Sequence, residues 1–269
     1  MRRPFHLLFC TVVVATPVAL AACGGGGGNQ TQQTTTQSPG AAPASTGAAA
    51  PPAAVDPATA ATVTGKVTFA GTPPPAQAVK LSSDPYCEKA NPGLKTETEV
   101  VGSDGSVGNV FVYVKDGLGN RTFPTPSEPV IMDQKGCHYT PHVMGIQIGQ
   151  PLQIVNSDDT LHNVHGLAKA NKEFNQGQPI QGMKMTHTFS TKEVMIPFKC
   201  DVHGWMNAWI GVLDHPYYAV TSTDGTFSLK GLPPGTYTIE AWHEKLGTQT
   251  QTVTVGEKET KNLAFTFKA

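Results

Sequence analysis

The sequence carries little charge, and the charge is spread thinly. Only 14% of its 269 residues are charged, with 19 basic and 20 acidic side chains. No basic patch or run of like charges stands out, so the chain has no obvious surface for phosphate groups. We therefore expect no nucleic acid as a partner. Long stretches with helical periodicity are also lacking, which argues against a helical bundle.

Motifs for enzymatic chemistry are missing as well. The sequence shows no Ser-His-Asp order, no evident pair of catalytic carboxylates and no phosphate-binding loop. It also lacks the Cys-x-x-Cys-His motif that attaches haem. We therefore do not expect an enzyme, and the cysteines, histidines and methionines remain as candidates for chemistry.

The first 23 residues have the features of an export signal. Two arginines precede a short apolar run, and small residues follow it, which predicts a signal peptide over residues 1–22 rather than a membrane-spanning helix. The ending Leu-Ala-Ala-Cys resembles a bacterial lipobox. That resemblance implies a lipid on Cys23 and anchorage in the cell envelope, at the outer membrane or a periplasmic face. Gly24, rather than Asp, follows the cysteine, which favours the outer over the inner membrane. An ordinary cleaved signal is the alternative.

A low-complexity segment follows the cysteine. Residues 23–61 are mostly Gly, Gln, Thr, Ala, Pro and Ser, with almost no large apolar side chain. Such a composition buries too little surface to offset the entropy of ordering, so the sequence predicts a disordered tether.

The cysteine count is five, and three cysteines lie beyond the tether. In an oxidising compartment a free thiol needs a reason. The simplest pairing joins Cys87 to Cys137 and leaves Cys200 for another task, whereas either other pairing puts Cys200 in a disulfide.

Strand patterns dominate the rest of the sequence. Short alternating or β-branched runs are separated by turn residues, which predicts an all-β protein of sandwich type. One run, 193–200, is expected to place Val194, Ile196, Phe198 and Cys200 on one face. The other principal runs are 61–71, 107–117, 145–158, 217–229, 235–242, 248–255 and 261–267.

A cluster of soft ligands follows one of these runs. In KCDVHGWM, Cys200, His203 and Met206 are spaced three residues apart, and His162 and His165 follow an earlier strand. Two loops at one end of a sandwich can bring one of these histidines to Cys200. A thiolate, two imidazoles and a thioether form the donor set of blue-copper sites, whereas zinc gains little from methionine. A buried cysteine with unrelated neighbours is the alternative.

Residues 128–214 resemble a cupredoxin. NSDDTLHNVH is similar to the segment that carries the family's first histidine ligand, and CDVHGWM is similar to its short Cys-His-Met loop. The resemblance implies one type 1 copper, with His162, Cys200 and His203 as equatorial ligands and Met206 as the axial ligand.

The same resemblance implies roles for the residues around the ligands. Asn163 would hydrogen-bond between the two ligand loops. Asp201 stands where the family usually has Ser or Thr, so its carboxylate would change the hydrogen bonding beside the thiolate. His203 would present its ring edge at the surface, with Gly204 and Trp205 forming a docking patch for a redox partner.

A second resemblance covers residues 221–247, which are similar to the carboxypeptidase regulatory-like (transthyretin-like) β-sandwich. Earlier strands of that family resemble residues 63–74 and 109–114. We therefore expect a cupredoxin at 128–214 inserted into a sandwich made of 62–127 and 215–269. The alternative is a tandem order, with 62–214 as the cupredoxin and 215–269 as the sandwich.

Together these features predict a lipid-anchored type 1 copper protein that carries single electrons between redox partners in the cell envelope. Two alternatives use the same sequence differently. The ligands could exchange copper for storage or delivery, or the sandwich could bind a partner without any redox role.

Overall fold

The computed structural model describes residues 55–268, which form sixteen β-strands and one short helix. The predicted signal peptide, Cys23 and residues 24–54 of the predicted tether lie outside this range. The helix is α1 (Pro85–Ala90). The strands are β1 (Ala61–Ala70), β2 (Phe111–Asp116), β3 (Val130–Gln134), β4 (Tyr139–Thr140), β5 (Val143–Gln147), β6 (Leu152–Asn156), β7 (His162–Gly166), β8 (Phe174–Gln178), β9 (Lys184–His187), β10 (Glu193–Lys199), β11 (Asn207–Leu213), β12 (Tyr218–Val220), β13 (Thr226–Leu232), β14 (Gly235–His243), β15 (Gly247–Val255) and β16 (Thr260–Lys268).

Residues 55–61, the last part of the predicted tether, are ordered rather than an extended linker. Asp56 accepts a hydrogen bond from the amide of Ala58, and Thr59 accepts one from the amide of Lys258, so a turn leads into β1. Ala61 is already buried. Among residues 55–268, no helix is long and apolar enough to cross a membrane.

The strands form four sheets that pair into two sandwiches, so the predicted all-β fold is confirmed. The first sandwich contains the sheets β13-β1-β16 and β12-β2-β14-β15. The second contains the sheets β5-β11-β10-β7-β8 and β4-β3-β6-β9, and all of its strands lie between β2 and β12 in the chain. Because β12 returns to pair with β2, we propose the inserted domain arrangement over the tandem one.

The alternating sequence patterns explain how each sandwich is filled. Along β1 every second residue is buried, and Val63, Val67 and Phe69 point into the first core, where they meet Phe227 and Phe265. Full burial of each such side chain stabilises the fold by roughly 1.5–3 kcal/mol. The second sandwich has a separate core.

The segment before β2 departs from the predicted boundary between the two parts. Leu81 and Cys87 are buried in the core of the second sandwich, although they precede β2 in the chain. Asp84 caps α1, and its carboxylate accepts hydrogen bonds from the amides of Tyr86 and Cys87. Cys87 is bonded to Cys137, which confirms the predicted disulfide.

Strand β10 follows the predicted alternation only in its second half. Met195 has a positive φ of 61°, and the pairing with β11 shifts register between Glu193 and Ile196. This bulge turns Val194 towards the contact with the first sandwich. Ile196, Phe198 and Cys200 face the second core as expected, so the prediction was wrong for Val194 alone.

The two sandwiches meet at an aromatic ring that lies on two glycines. Gly145 in β5 and Gly211 in β11 are directly paired, and Phe111 of β2 lies over both. A Cβ atom on Gly211 would come within 2.5 Å of the Phe111 ring, and one on Gly145 would come within 2.3 Å of the Tyr218 ring. The contact therefore needs glycine at both positions.

A buried hydrogen-bonded pair flanks this contact. His142, just before β5, bonds to the carboxylate of Glu244, just after β14. Glu244 also accepts a hydrogen bond from the Trp209 indole at 2.9 Å. The same carboxylate thus joins the first sandwich to two residues of the second.

We predict that the double variant Cys87→Ser, Cys137→Ser has a free energy of unfolding about 4 kcal/mol lower than the wild type, because the bond closes a loop over a sequence separation of 50 residues. Denaturant unfolding measures the difference. A thiol reductant should lower wild-type stability by a similar amount and leave the double variant unchanged. Equal stability of the two proteins would contradict the prediction.

We predict that Glu244→Gln destabilises the fold in a pH-dependent way. Burial opposes charge on His142, but the hydrogen bond and charge of Glu244 outweigh it and raise the pKa of His142. The resulting stabilisation is complete below the unfolded pKa of about 6.5 and is lost as pH rises through the folded pKa.

Urea unfolding of Glu244→Gln should show a loss of about 1–3 kcal/mol at low pH, where the imidazolium would be left without its partner. The loss should be smaller in alkaline solution. Glu257→Gln, at an exposed position, is the control. A loss that grows with rising pH would contradict this assignment.

Candidate metal centre

Three strand ends of one sheet place the predicted ligands together. His162 begins β7, Cys200 directly follows β10, and Met206 directly precedes β11. Strands β7, β10 and β11 are neighbours in the sheet, and both pairings with β10 are antiparallel. The last residue of β10, Lys199, pairs with Asn207 at the start of β11 and with His165 of β7. The chain after β10 therefore continues towards His162 at the start of β7.

The donor atoms of His162, Cys200 and His203 lie within 4.8 Å of one another. The two histidine Nδ1 atoms are 3.0 Å apart, and Cys200 Sγ is 3.9 Å from Nδ1 of His203. All three residues are at most 2% exposed. The structure thus brings together three of the four predicted ligands through atoms that face a shared, buried point.

The turn from Cys200 to Met206 is closed by its own backbone. The amide of Cys200 donates to the carbonyl of Met206 at 3.1 Å, and the amide of Met206 donates to the carbonyl of His203 at 2.9 Å. The amide of His203 donates to Cys200 Sγ at 3.3 Å. Met206 is buried in the same core cluster as Cys200, so the fourth predicted ligand lies buried on the turn that carries Cys200 and His203.

The outer nitrogen of each imidazole is bonded to a carboxylate. Nε2 of His162 lies 2.9 Å from Oδ2 of Asp158, and Nε2 of His203 lies 2.9 Å from Oδ2 of Asp84. In a neutral imidazole a nitrogen that donates to a carboxylate carries the proton, so the other nitrogen keeps a lone pair. In the neutral form each Nδ1 atom presents a lone pair to the centre, whereas a protonated Nδ1 donates to the other ring or to the Cys200 thiolate.

This arrangement fits a metal ion. Two lone pairs 3.0 Å apart in a buried pocket repel each other unless a cation or a proton lies between them. Metal-bound histidines commonly donate their other nitrogen to a carboxylate, as both do here. Thiolate and imidazole donors together suit copper or zinc, and a nearby thioether favours copper.

The electrostatics also favour a cation. Burial raises the pKa of the Cys200 thiol, but hydrogen bonds from His162 and His203 outweigh it and lower that pKa to about 6. Burial likewise opposes charge on Asp158, yet the bonds from His162 and from two backbone amides lower its pKa. The pKa of Asp84 is also lowered, since bonds from His203 and α1 outweigh its burial. Three anionic groups thus surround the two imidazoles.

Asn163 lies where the resemblance implies. Its side-chain oxygen accepts a hydrogen bond from the amide of Asp201 at 2.9 Å and so links β7 to the turn after Cys200. The expected effect of the Asp201 carboxylate on the thiolate is not seen. That carboxylate bonds instead to His165, Asn175 and Lys199, and the turn uses only the Asp201 backbone amide.

The expected surface position of His203 was wrong. Its ring is 2% exposed, because Asp84 and the segment around α1 cover its outer edge. Trp205 is half-buried, donates its indole N–H to the carbonyl of Cys137, and lies beside the His203 ring. Gly204 is exposed, as is Val202 on the same turn. The turn therefore offers an exposed surface, but without the histidine edge.

Two residues that bond to the candidate ligands were missed by sequence reasoning. Asp158 precedes His162 by four residues in NSDDTLH, so an acidic residue near the first ligand was visible. Asp84 is 119 residues from His203, and no local pattern connects them.

Residues 207–268 match the family described as carboxypeptidase regulatory-like domain. This match agrees with the resemblance seen over residues 221–247. It covers β11, which belongs to the second sandwich, and β12 to β16 of the first, whereas β1 and β2 of the first sandwich precede it. No curated protein matches the chain.

Copper proteins are found among the similar solved structures. A copper-containing nitrite reductase from Thermus scotoductus SA-01 is 20% identical with a TM-score of 0.31, covering 36% of this chain and 25% of its own. A variant of amicyanin is 16% identical with a TM-score of 0.29, and the match covers 38% of this chain and 97% of the amicyanin chain. A purple cupredoxin from Nitrosopumilus maritimus is 23% identical with a TM-score of 0.25, covering 28% and 81%.

These values describe a partial likeness of fold. The chain spans about a quarter of the length of the nitrite reductase. At such TM-scores the likeness does not bear on function, and the function proposed below rests on the geometry of the site.

We predict that the metal-free protein forms the Cys200 thiolate with a midpoint near pH 6, as its lowered pKa of about 6 indicates. Ultraviolet thiolate absorbance, corrected with Cys200→Ser, follows the titration as pH rises. His162→Gln removes one stabilising hydrogen bond and should move the midpoint upward. A wild-type midpoint close to the ordinary thiol value of about 8.5 would contradict the assigned contacts.

Proposed function

We propose that this protein binds one copper ion in a type 1 site and carries single electrons between redox partners in the cell envelope. The observation that supports the proposal is the convergence of His162 Nδ1, Cys200 Sγ and His203 Nδ1 within 4.8 Å in a buried pocket. When bound, copper supplies a one-electron couple between Cu(I) and Cu(II).

The chain's own residues give such a site its rigidity. Carboxylates hold the outer nitrogen of both imidazoles, which fixes ring orientation and keeps the Nδ1 lone pairs available. The backbone bonds of the 200–206 turn hold the cysteine and Met206 on adjoining strands. Asn163 ties that turn to β7. A donor set that is held in place in this way needs little rearrangement when the charge at its centre changes.

In this proposal Cys200 is the thiolate ligand and Met206 the weak axial ligand. The lowered pKa of Cys200 supports the first role, because a thiolate binds metal and a thiol does not. The burial of Met206 next to the turn supports the second. We propose no catalytic residue, since the site presents ligands and no separate acid or base that faces an open pocket.

Partner and location follow from the same proposal. A redox protein would dock at the turn that carries Val202 and Gly204, where Leu161, next to His162, is also exposed. Trp205 would support this surface from beneath. Lipid on Cys23 would anchor the protein to the membrane, and the signal-like residues 1–22 support that location.

We predict that copper-loaded wild-type protein shows an intense visible charge-transfer absorption and one reversible one-electron reduction. Cys200→Ser should lose the absorption, because the sulfur donor is gone. His138→Gln, which changes a histidine outside the ligand set, should keep it. Optical and EPR spectra with voltammetry measure these properties.

The alternatives give different results in the same experiment. A colourless protein that quickly surrenders Cu(I) to a chelator would indicate copper delivery instead. A folded protein that takes up no copper would indicate a binding module without a metal, and either result would refute the electron-carrier proposal.

A further inference from the structure

One feature near the metal centre is not part of the ligand set. The segment 79–94 covers His203 and contains α1, and Asp84 is the N-cap residue of that helix. Oδ1 of Asp84 accepts from the amides of Tyr86 and Cys87, while Oδ2 accepts from His203 Nε2 at 2.9 Å and from Thr160 at 3.1 Å. One carboxylate therefore begins the helix and holds a candidate ligand.

A matching arrangement surrounds the other imidazole. Oδ2 of Asp158 accepts from His162 Nε2 at 2.9 Å and from the amide of Cys137 at 2.8 Å. Its Oδ1 accepts from the amide of Gly136 at 2.8 Å and from the Tyr86 hydroxyl at 3.2 Å. The segment 79–94 thus contacts both carboxylates.

The disulfide connects these two arrangements. The amide of Cys87 donates to Asp84 and the amide of Cys137 donates to Asp158, and the two sulfurs are bonded to each other. Each half-cystine therefore supports the carboxylate that holds one imidazole. Sγ of Cys87 is itself only 3.8 Å from His203 Nε2.

The covalent bond matters because α1 cannot hold Asp84 in place alone. The helix has six residues, and isolated helices of this length do not persist in water. The disulfide and the burial of Leu81 and Cys87 fix it to the second sandwich. Without the bond, the position of Asp84 would depend on the burial of Leu81 and Cys87 and on its own hydrogen bonds to Thr160 and His203.

We propose that Asp84 and Asp158 are positioning residues for the two metal-binding imidazoles, and that the Cys87–Cys137 disulfide sets metal affinity by holding both carboxylates in place. This inference rests on the proposed metal site. It assigns a binding role to a segment that lies far from the ligands in sequence and to a disulfide that contributes no ligand atom.

The double role of Asp84 suggests a variant that separates its two functions. Serine is a good N-cap and its hydroxyl can accept the amide bonds of α1. Its side chain is too short to reach His203 as well. Asp84→Ser therefore keeps the helix cap and removes the imidazole partner.

We predict that Asp84→Ser and Asp158→Ser each bind zinc(II) about 10- to 100-fold more weakly than the wild type, the usual effect of losing such a partner. Competition with a chromophoric chelator measures the affinity of the purified protein. Glu173→Gln is the matched control, because it removes a carboxylate from a non-ligand histidine, His165, and should leave zinc affinity unchanged.

Nuclear magnetic resonance gives a second readout that does not depend on affinity. In the zinc-loaded wild type, the Nε2 proton of His203 should exchange slowly with water, because Asp84 accepts it in a buried site. In Asp84→Ser this proton should exchange quickly while the backbone amide spectrum stays folded.

The disulfide is tested in combination with Asp84. The double variant Cys87→Ser, Cys137→Ser should also bind zinc more weakly. Adding Asp84→Ser to it should cause little further loss, since contacts that act through one another are not additive. If the double variant fails to fold, zinc affinity is measured on the folded wild type and on Asp84→Ser before and after reduction of the disulfide with a phosphine. An unchanged affinity of the reduced wild type would overturn the role of the disulfide.

The outcomes separate this inference from the proposed function. Wild-type zinc affinity in Asp84→Ser, with a protected His203 proton, would overturn the inference even if copper gives the expected spectrum. A colourless copper-loaded wild type whose zinc affinity still depends on Asp84 would refute only the electron carrier. A wild type that binds neither ion would overturn both.

Discussion

The candidate centre depends on one constraint: both imidazoles must turn their Nδ1 atoms inward at the same time. Two buried Nδ1 atoms at 3.0 Å need a proton or a cation between them, and the fold holds them there by bonding each outer nitrogen to a carboxylate. The strand ends, the 200–206 turn and the capped helix all serve this geometry. The fold thus holds two donor atoms at a distance that a shared proton or a bound cation would satisfy.

Much of the fold and part of the site could be predicted from the sequence. The alternation of apolar and polar residues predicted the strands of both sandwiches. The spacing of Cys200, His203 and Met206 predicted one ligand turn, because the conformation of a tight turn after a strand is set by a few consecutive residues. The disulfide was the simplest of the three pairings that the cysteine count allows, and the structure has that pairing. Val194 was misplaced because the positive φ of Met195 has no signature in an apolar run.

The contacts that sequence reasoning missed are long-range. The coverage of His203 by Asp84 joins residues 119 positions apart, and only the folded second sandwich brings them together. Asp201 was misjudged for a related reason. Its neighbour in sequence is Cys200, but its carboxylate lies among His165, Asn175 and Lys199 on the outer side of the turn. Adjacency in the chain says little about direction when a turn follows a strand.

The paired glycines at 145 and 211 have a consequence for how the chain evolves. At this contact the Phe111 ring packs directly on the backbone of the two glycines. The close approach of the two sandwiches here therefore depends on the absence of a Cβ atom at both positions. Every substitution of these glycines adds at least a Cβ atom, which would clash with an aromatic ring and push the two sandwiches apart. The contact between the two sandwiches therefore tolerates few substitutions at Gly145 and Gly211.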